Sequence, residues 1–178
     1  MRWMWIDRVV ELVPRQRMVA IKNVSLAEEH LHDHFAADAT RDLAALPIMP
    51  ASLILEGTAQ TAGILVGHAE AFREKVILAK INRAELTREA TPGTTLRYTA
   101  TIERMDDAGA STRTRIELFD HANPETGFTE IGQVEMMFSH LDQNMGGAGK
   151  TGEAFPEHNF VFGEGFKTLL RTSGIAVP

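Results

Sequence analysis

The chain has no cysteine. That removes disulfide bridges, a thiolate nucleophile and a cysteine-ligated zinc from consideration. A long apolar run is also missing. The longest such stretch, residues 53–66, is interrupted by Glu56 and Gln60 and falls short of the ~18 apolar residues that a membrane-spanning helix needs. The first residues, Met1-Arg2-Trp3-Met4-Trp5-Ile6-Asp7, hold no apolar core of signal-peptide length, so the cytoplasm is the expected compartment and no membrane partner is expected. Positive charge is in the minority. Eighteen Lys and Arg stand against 24 Asp and Glu, for a net charge of −6, which disfavours nucleic-acid binding through a global basic field. Arg113 and Arg115 alternate with Thr112 and Thr114, the pattern of one solvated face of a strand, and no nucleic-acid partner is expected.

What is present is ordinary for a globular protein: 44% hydrophobic and 24% charged residues in a chain of 178, enough for one domain with a sizeable core, or for one domain and a tail. Residues 17–24 are rich in β-formers and predict a strand after the turn at Pro14. Residues 25–46 show no sustained period and read as loop. Pro47 and Pro50 bracket Ile48-Met49, each disfavouring helix in the residue before it, and a helix is expected to start just after Pro50 with Ser52 near its N-terminus.

That helix, residues 51–71, is apolar or small nearly all round, the pattern of a helix buried on every side. Gly57, Gly63 and Gly67 each cost roughly 1 kcal/mol relative to Ala, and close approach of other backbone is the expected reason for them. Downstream the period changes to two: Leu96, Tyr98, Ala100 and Ile102 alternate with Arg97, Thr99, Thr101 and Glu103. Turn signals at 106–109 and 123–127 separate this strand from strands expected at 112–119 and 129–140, and 76–81 is a further candidate. An antiparallel meander with one fully apolar helix predicts an α+β fold in which a sheet curls around that helix. Residues 145–152 are Gly-rich and read as a linker. Beyond them Phe155, Phe160, Phe162 and Phe166 are too many aromatics for a free tail, and Gly174 is a fitting helix stop after Thr168-Leu169-Leu170-Arg171. The expected division is a domain over 1–142 and a linker with a docked extension over 143–178.

Glu56 carries the chemical interest. A carboxylate inside an apolar helix is expensive to bury unless paired or hydrogen-bonded. Ser52, Glu56 and Gln60 fall at i, i+4 and i+8 on one face, beside the small residues Ala59 and Gly63, which leave room for another group. A structural Glu tied to a backbone amide explains the same pattern equally well. His30, His32 and His34 alternate in a way that would align them in an extended chain, inviting a metal site with Asp33 or Asp38, but such short patterns are weakly specific. One neutral His acting as a base is simpler chemistry, and no metal is expected. Residues 146–151, Gly-Gly-Ala-Gly-Lys-Thr, lack the full phosphate-loop pattern, with Asn144 where Gly belongs and Pro156 where a helix should run. No Gly-x-Ser-x-Gly elbow occurs.

Taken in order, Ile6-Asp7-Arg8-Val9, residues 18–24, His34-Phe35, Pro47-Ile48-Met49-Pro50, residues 53–60, Thr91-Pro92-Gly93 and residues 133–138 resemble the β-hydroxyacyl-(acyl carrier protein) dehydratases, hot-dog-fold enzymes of fatty-acid synthesis. The resemblance covers about residues 1–140. It implies a long central helix wrapped by a strongly bent antiparallel sheet, a dimer, and no cofactor. It also implies His34 as catalytic base, Glu56 as catalytic acid and Gln60 as the support of Glu56, with His34 of one subunit facing Glu56 of the other. Amides near Ala51 would be the oxyanion donors, and Phe35, Ile48, Met49 and Pro50 would line the substrate tunnel. Arg83 and Arg88 match basic positions that meet an acidic acyl carrier protein, or the carrier would be coenzyme A.

Three departures stand out: Asp33-His34-Phe35-Ala36-Ala37 replaces Gly-His-Phe-Pro-Gly, Ala51 replaces Gly, and residues 38–46 are additional. The implied reaction is dehydration of a 3-hydroxyacyl thioester to the trans-2-enoyl thioester. An acyl thioesterase on the same fold, with Glu56 activating water, and a non-catalytic acyl-binding module are the alternatives.

Overall fold

The computed structural model describes residues 3–33, 36–141, 156 and 158–177, without the side chains of 32 and 33. Its axis is helix α2 (Ala51–Ala69), and around it runs one six-stranded antiparallel sheet. The strands are β1 (Arg8–Val13), β2 (Arg17–Val24), β3 (Val76–Leu86), β4 (Thr94–Asp106), β5 (Gly109–Asp120) and β6 (Phe128–His140), in the spatial order β1-β2-β4-β5-β6-β3. Two further α-helices, α1 (Glu29–Asp33) and α3 (Glu164–Thr172), and a short 3-10 helix at Pro124–Thr126 complete the described elements. Among the described residues, no helix is long and apolar enough to cross a membrane.

The period of two in β4 does what the sequence predicts: Leu96, Tyr98 and Ala100 are fully buried against α2. Ile116 and Leu118 of β5, Val134 and Met136 of β6, and Met18 and Ala20 of β2 complete that inner layer. Registers slip at Val9/Glu11, Leu78/Lys80, Ile81/Arg83, Ile102/Arg104 and Ile116/Glu117. Each irregularity adds local twist and bend, which lets a six-stranded sheet wrap a helix instead of lying flat against it. Thr112 and Thr114 face in, while Arg113 and Arg115 face out and pair with Glu103, Glu135 and Glu117.

Several expectations need correction. The segment read as loop contains α1, held by Leu31, which is 1% exposed and whose amide bonds to the Glu28 carbonyl at 2.9 Å. A five-residue helix is too short to display a period. It also means that His30 and His32 do not alternate along an extended chain. Strand β1, which the sequence reading does not include, forms through pairing of Arg8 with Ile21 across the turn at Pro14 and Arg15. Helix α2 ends two residues early, where Ala71 and Phe72 take positive φ, and β3 runs on to Leu86 because β6 pairs it throughout.

The glycines of α2 admit side chains as well as backbone. A Cβ at Gly57 would lie 2.8 Å from both the Trp5 carbonyl and the Tyr98 hydroxyl, at Gly63 it would touch Phe138, and at Gly67 it would strike the Phe162 ring at 2.4 Å. The helix is not buried on every side either. Ile54, Thr58, Thr61, Ile64 and Leu65 are buried, but Glu56, Ala59 and Gly63 are only half-buried and border an open cleft.

The last described segment docks on the body. Phe162 is buried, Phe166 half-buried, and Leu169 and Leu170 of α3 join the core. Phe160, expected to be buried, is 46% exposed, because the chain turns at 159–162 and drives Phe162 inward instead. The Gly-rich residues 145–152 and Phe155 lie outside the described residues.

Candidate active site

The site is built on α2. Pro50 is the residue before the helix, at φ −54° and ψ 137°, and no side chain caps the terminus. Leu53 and Ile54 already bond to the Pro50 carbonyl, at 2.9 and 3.3 Å. The amides of Ala51 and Ser52 have no acceptor among the described residues, and Ser52 does not act as the cap its position suggests. Two unsatisfied N–H groups at the positive end of a 19-residue helix suit a developing negative charge.

One turn further on, the helical period brings Glu56 and Gln60 together: Gln60 Nε2 donates to Glu56 Oε1 at 3.0 Å. The same amide group donates to the Trp3 carbonyl at 3.0 Å, and its Oε1 accepts from the Trp5 amide at 2.8 Å. Gln60, 5% exposed, thus ties the N-terminal segment to the helix and aims Glu56. Nothing in the sequence near Gln60 pointed to Trp3 and Trp5, which lie more than fifty residues away along the chain.

Glu56 and Gln60 stand in the wall of a cavity of about 250 Å³ whose floor includes Ala59 and Gly63. Among the described residues lining it, Glu56 is the one titratable group; Val76, Leu78, Phe138, Phe162 and Phe166 make the rest apolar. The small-residue stripe does leave the expected space. That Val161, Phe162 and Phe166 reach this cavity from the far end of the chain is something sequence reasoning missed, since the aromatic run signalled docking but not its destination.

Ile48, Met49 and Ala51 line a second cavity, of about 480 Å³, at the start of α2, with Arg88 at its edge; Pro50 adjoins it but is not part of its lining. Met49 is fixed there by its amide bonding to the Ala90 carbonyl at 2.8 Å. In a single chain, then, Ala51 and Glu56 face different cavities. His34 and Phe35 lie outside the described residues. The additional residues 38–46 form a tight turn in which Asp38 pairs with Leu43 across an isolated bridge and accepts from the Thr40 amide at 2.9 Å. The Thr40 hydrogen bonds hold the Asp38 carboxyl below its ordinary value. Arg83 is paired to Glu85 at 2.7 Å, whereas Arg88 meets Asp120 at 3.9 Å.

A long helix wrapped by a curled antiparallel sheet is the hot-dog architecture, and here it carries a carboxyl side chain in an otherwise apolar cleft. Residues 2–120 match the model of the FabA-like domain. Over 111 residues the chain is 34% identical to a 3-hydroxyacyl-[acyl-carrier-protein] dehydratase, FabZ, of Listeria monocytogenes, covering 62% of this chain and 72% of that one. Among solved structures, the dehydratase heterocomplex ApeI:P of Xenorhabdus doucetiae superposes with a TM-score of 0.57 at 15% identity, over 84% of this chain and 86% of that one. An acyl-CoA hydrolase of Staphylococcus aureus in complex with coenzyme A gives 0.51 at 12%, over 89% and 86%. The chain belongs to the β-hydroxyacyl-(acyl carrier protein) dehydratase family and is a dehydratase-type lyase of the hot-dog fold.

Proposed function

We propose that the protein dehydrates 3-hydroxyacyl thioesters, carried on acyl carrier protein or coenzyme A, to trans-2-enoyl thioesters in fatty-acid synthesis. His34 removes the proton α to the thioester carbonyl. The amides at the start of α2, Ala51 foremost, stabilise the enolate oxygen that results. Glu56 passes a proton to the departing 3-hydroxyl, so a C–H and a C–O bond break, a C=C bond forms, and water leaves; exchange with solvent then returns a proton from His34 to Glu56. Gln60 is a positioning residue that holds Glu56 through its 3.0 Å hydrogen bond. The balance of this reaction calls for no cofactor.

The observation that carries the reading is the Glu56–Gln60 pair in a cavity that is otherwise apolar. A dehydration needs a base as well as an acid, and the described lining of that cavity offers no second titratable group. We therefore propose a homodimer in which His34 of one subunit meets Glu56 of the other. The exposed edge strand β3, with Leu78 and Ile81 about 40% exposed, supports that assembly, because the unpaired backbone groups of an edge strand offer a template for pairing with another chain. Arg88, beside the cavity at the start of α2 and only loosely engaged by Asp120, is the better placed of the two basic residues to receive an acidic carrier.

Parallel assays of 3-hydroxyacyl and saturated acyl thioesters test the reading. Enoyl absorbance from the first, without thiol release from the second, is the expected result. Thiol release without enoyl formation would replace dehydration by thioester hydrolysis, and silence in both would leave an acyl-binding module.

A further inference from the structure

The cavity holding Glu56 has two walls of different origin. One is made by α2 and by β3 and β6; the other is made by Val161, Phe162 and Phe166, from the C-terminal extension. This second wall is fastened at both ends. Asn159 Nδ2 donates to the carbonyls of Phe72 and Glu74 at 3.0 and 2.9 Å, and its Oδ1 accepts from the amides of Val161 and Phe162 at 3.0 and 3.4 Å. At the other end, Ser173 Oγ accepts from the Val9 amide at 3.0 Å, and Leu169 and Leu170 are buried.

Between these anchors the Phe162 ring lies over Gly67, in space that any Cβ there would occupy. It meets Phe72 edge-on at 5.0 Å, and Phe166 stands 5.9 Å from it. These are fixed rings in staggered edge-to-face contact, not a loose flap.

We infer that the C-terminal extension is the far wall of the acyl-chain pocket, and that Phe162 and Phe166 are specificity-determining residues that limit the length of chain admitted. The inference rests on the dehydratase reading for its orientation, with Glu56 marking carbon 3. Beyond Glu56 and Gln60 the described lining is apolar, which suits the hydrocarbon beyond carbon 3, and the two rings stand across its path. A chain that ends short of them lies along this apolar lining, while a longer one has to displace a ring anchored in the core.

The test uses the full chain as wild type, Phe166→Ala and Phe162→Leu. Phe166 is half-buried, so its truncation spares the core, and Phe162→Leu keeps a buried apolar group; thermal melting confirms folding of each. Two quantities are read across a series of chain lengths: kcat/KM for 3-hydroxyacyl coenzyme A thioesters, and Kd for saturated acyl coenzyme A by calorimetry. Wild type should fall off sharply past a short-to-medium length. Phe166→Ala should move that limit to longer chains, each newly admitted methylene gaining roughly fourfold in both quantities. An unmoved length profile in folded Phe166→Ala and Phe162→Leu would overturn the inference even if dehydration is observed. A shifted binding profile without enoyl product from any chain would support the pocket and sink the dehydratase reading alone.

Discussion

Gln60 uses both of its amide hydrogens and its carbonyl oxygen, on Trp3, Glu56 and Trp5. Replacing it by Leu keeps the bulk but strands the Trp5 amide, a buried donor whose loss of partner costs about 1–3 kcal/mol. In a domain of this size that is a fall in melting temperature of about 2–4 °C per kcal/mol. Gln60→Leu should therefore lower both the melting temperature and kcat, the second because Glu56 loses its guide. An unchanged melting temperature would show that the clamp is not as built. At this scale the sequence was informative within a helix and silent across the fold. The spacing of Glu56 and Gln60 follows from the helical period alone, whereas the partnership with Trp3 and Trp5 exists only after β1 has paired with β2 and brought the N-terminal segment over α2. Gly57 is similar: its need for a missing side chain was legible, but the groups that need the room, Trp5 and Tyr98, were not.

At the scale of elements, the strands and α2 were legible where the period lasted a dozen residues, as in β4, and less so where pairing decides. Strands β1 and β3 are edge strands whose extent is set by β2 and β6, and the short α1 is set by the burial of Leu31. The C-terminal end of α2 carries a pH-sensitive group. His68 packs edge-on to Phe72 at 5.9 Å, and burial lowers its pKa from the ordinary 6.5. The folded protein thus binds this proton less readily than the unfolded chain does. Its contribution to stability is intact above the unfolded pKa and is lost as pH falls through the folded one. Denaturation followed from pH 7 downward should show stability falling through the histidine range, and His68→Gln should lessen that fall. Parallel curves for the two proteins would contradict the assignment.

For the whole molecule, the half-open face of α2 and the exposed β3 edge tell the same story. A single chain leaves Glu56, Ala59 and Gly63 partly uncovered, leaves Leu78, Ile81 and Met137 exposed, and separates Ala51 from Glu56 into two cavities. The all-round apolar character of α2, which predicts burial on every side, becomes intelligible if a second subunit supplies the missing cover. Ile81→Lys on the β3 edge should shift the proposed dimer to monomer in sedimentation at micromolar concentration and abolish turnover with it. A wild type that sediments as monomer would contradict the shared site.

The central claim is that Glu56 supplies the proton that lets the 3-hydroxyl leave. Glu56→Gln tests it most directly, because Gln keeps the shape and a carbonyl oxygen for the Gln60 amide yet transfers no proton. With the melting temperature unchanged, turnover of 3-hydroxyacyl thioester should drop by about 10²–10⁴-fold, the usual contribution of a general acid. Enoyl formation at the wild-type rate in folded Glu56→Gln would show that the acid lies elsewhere.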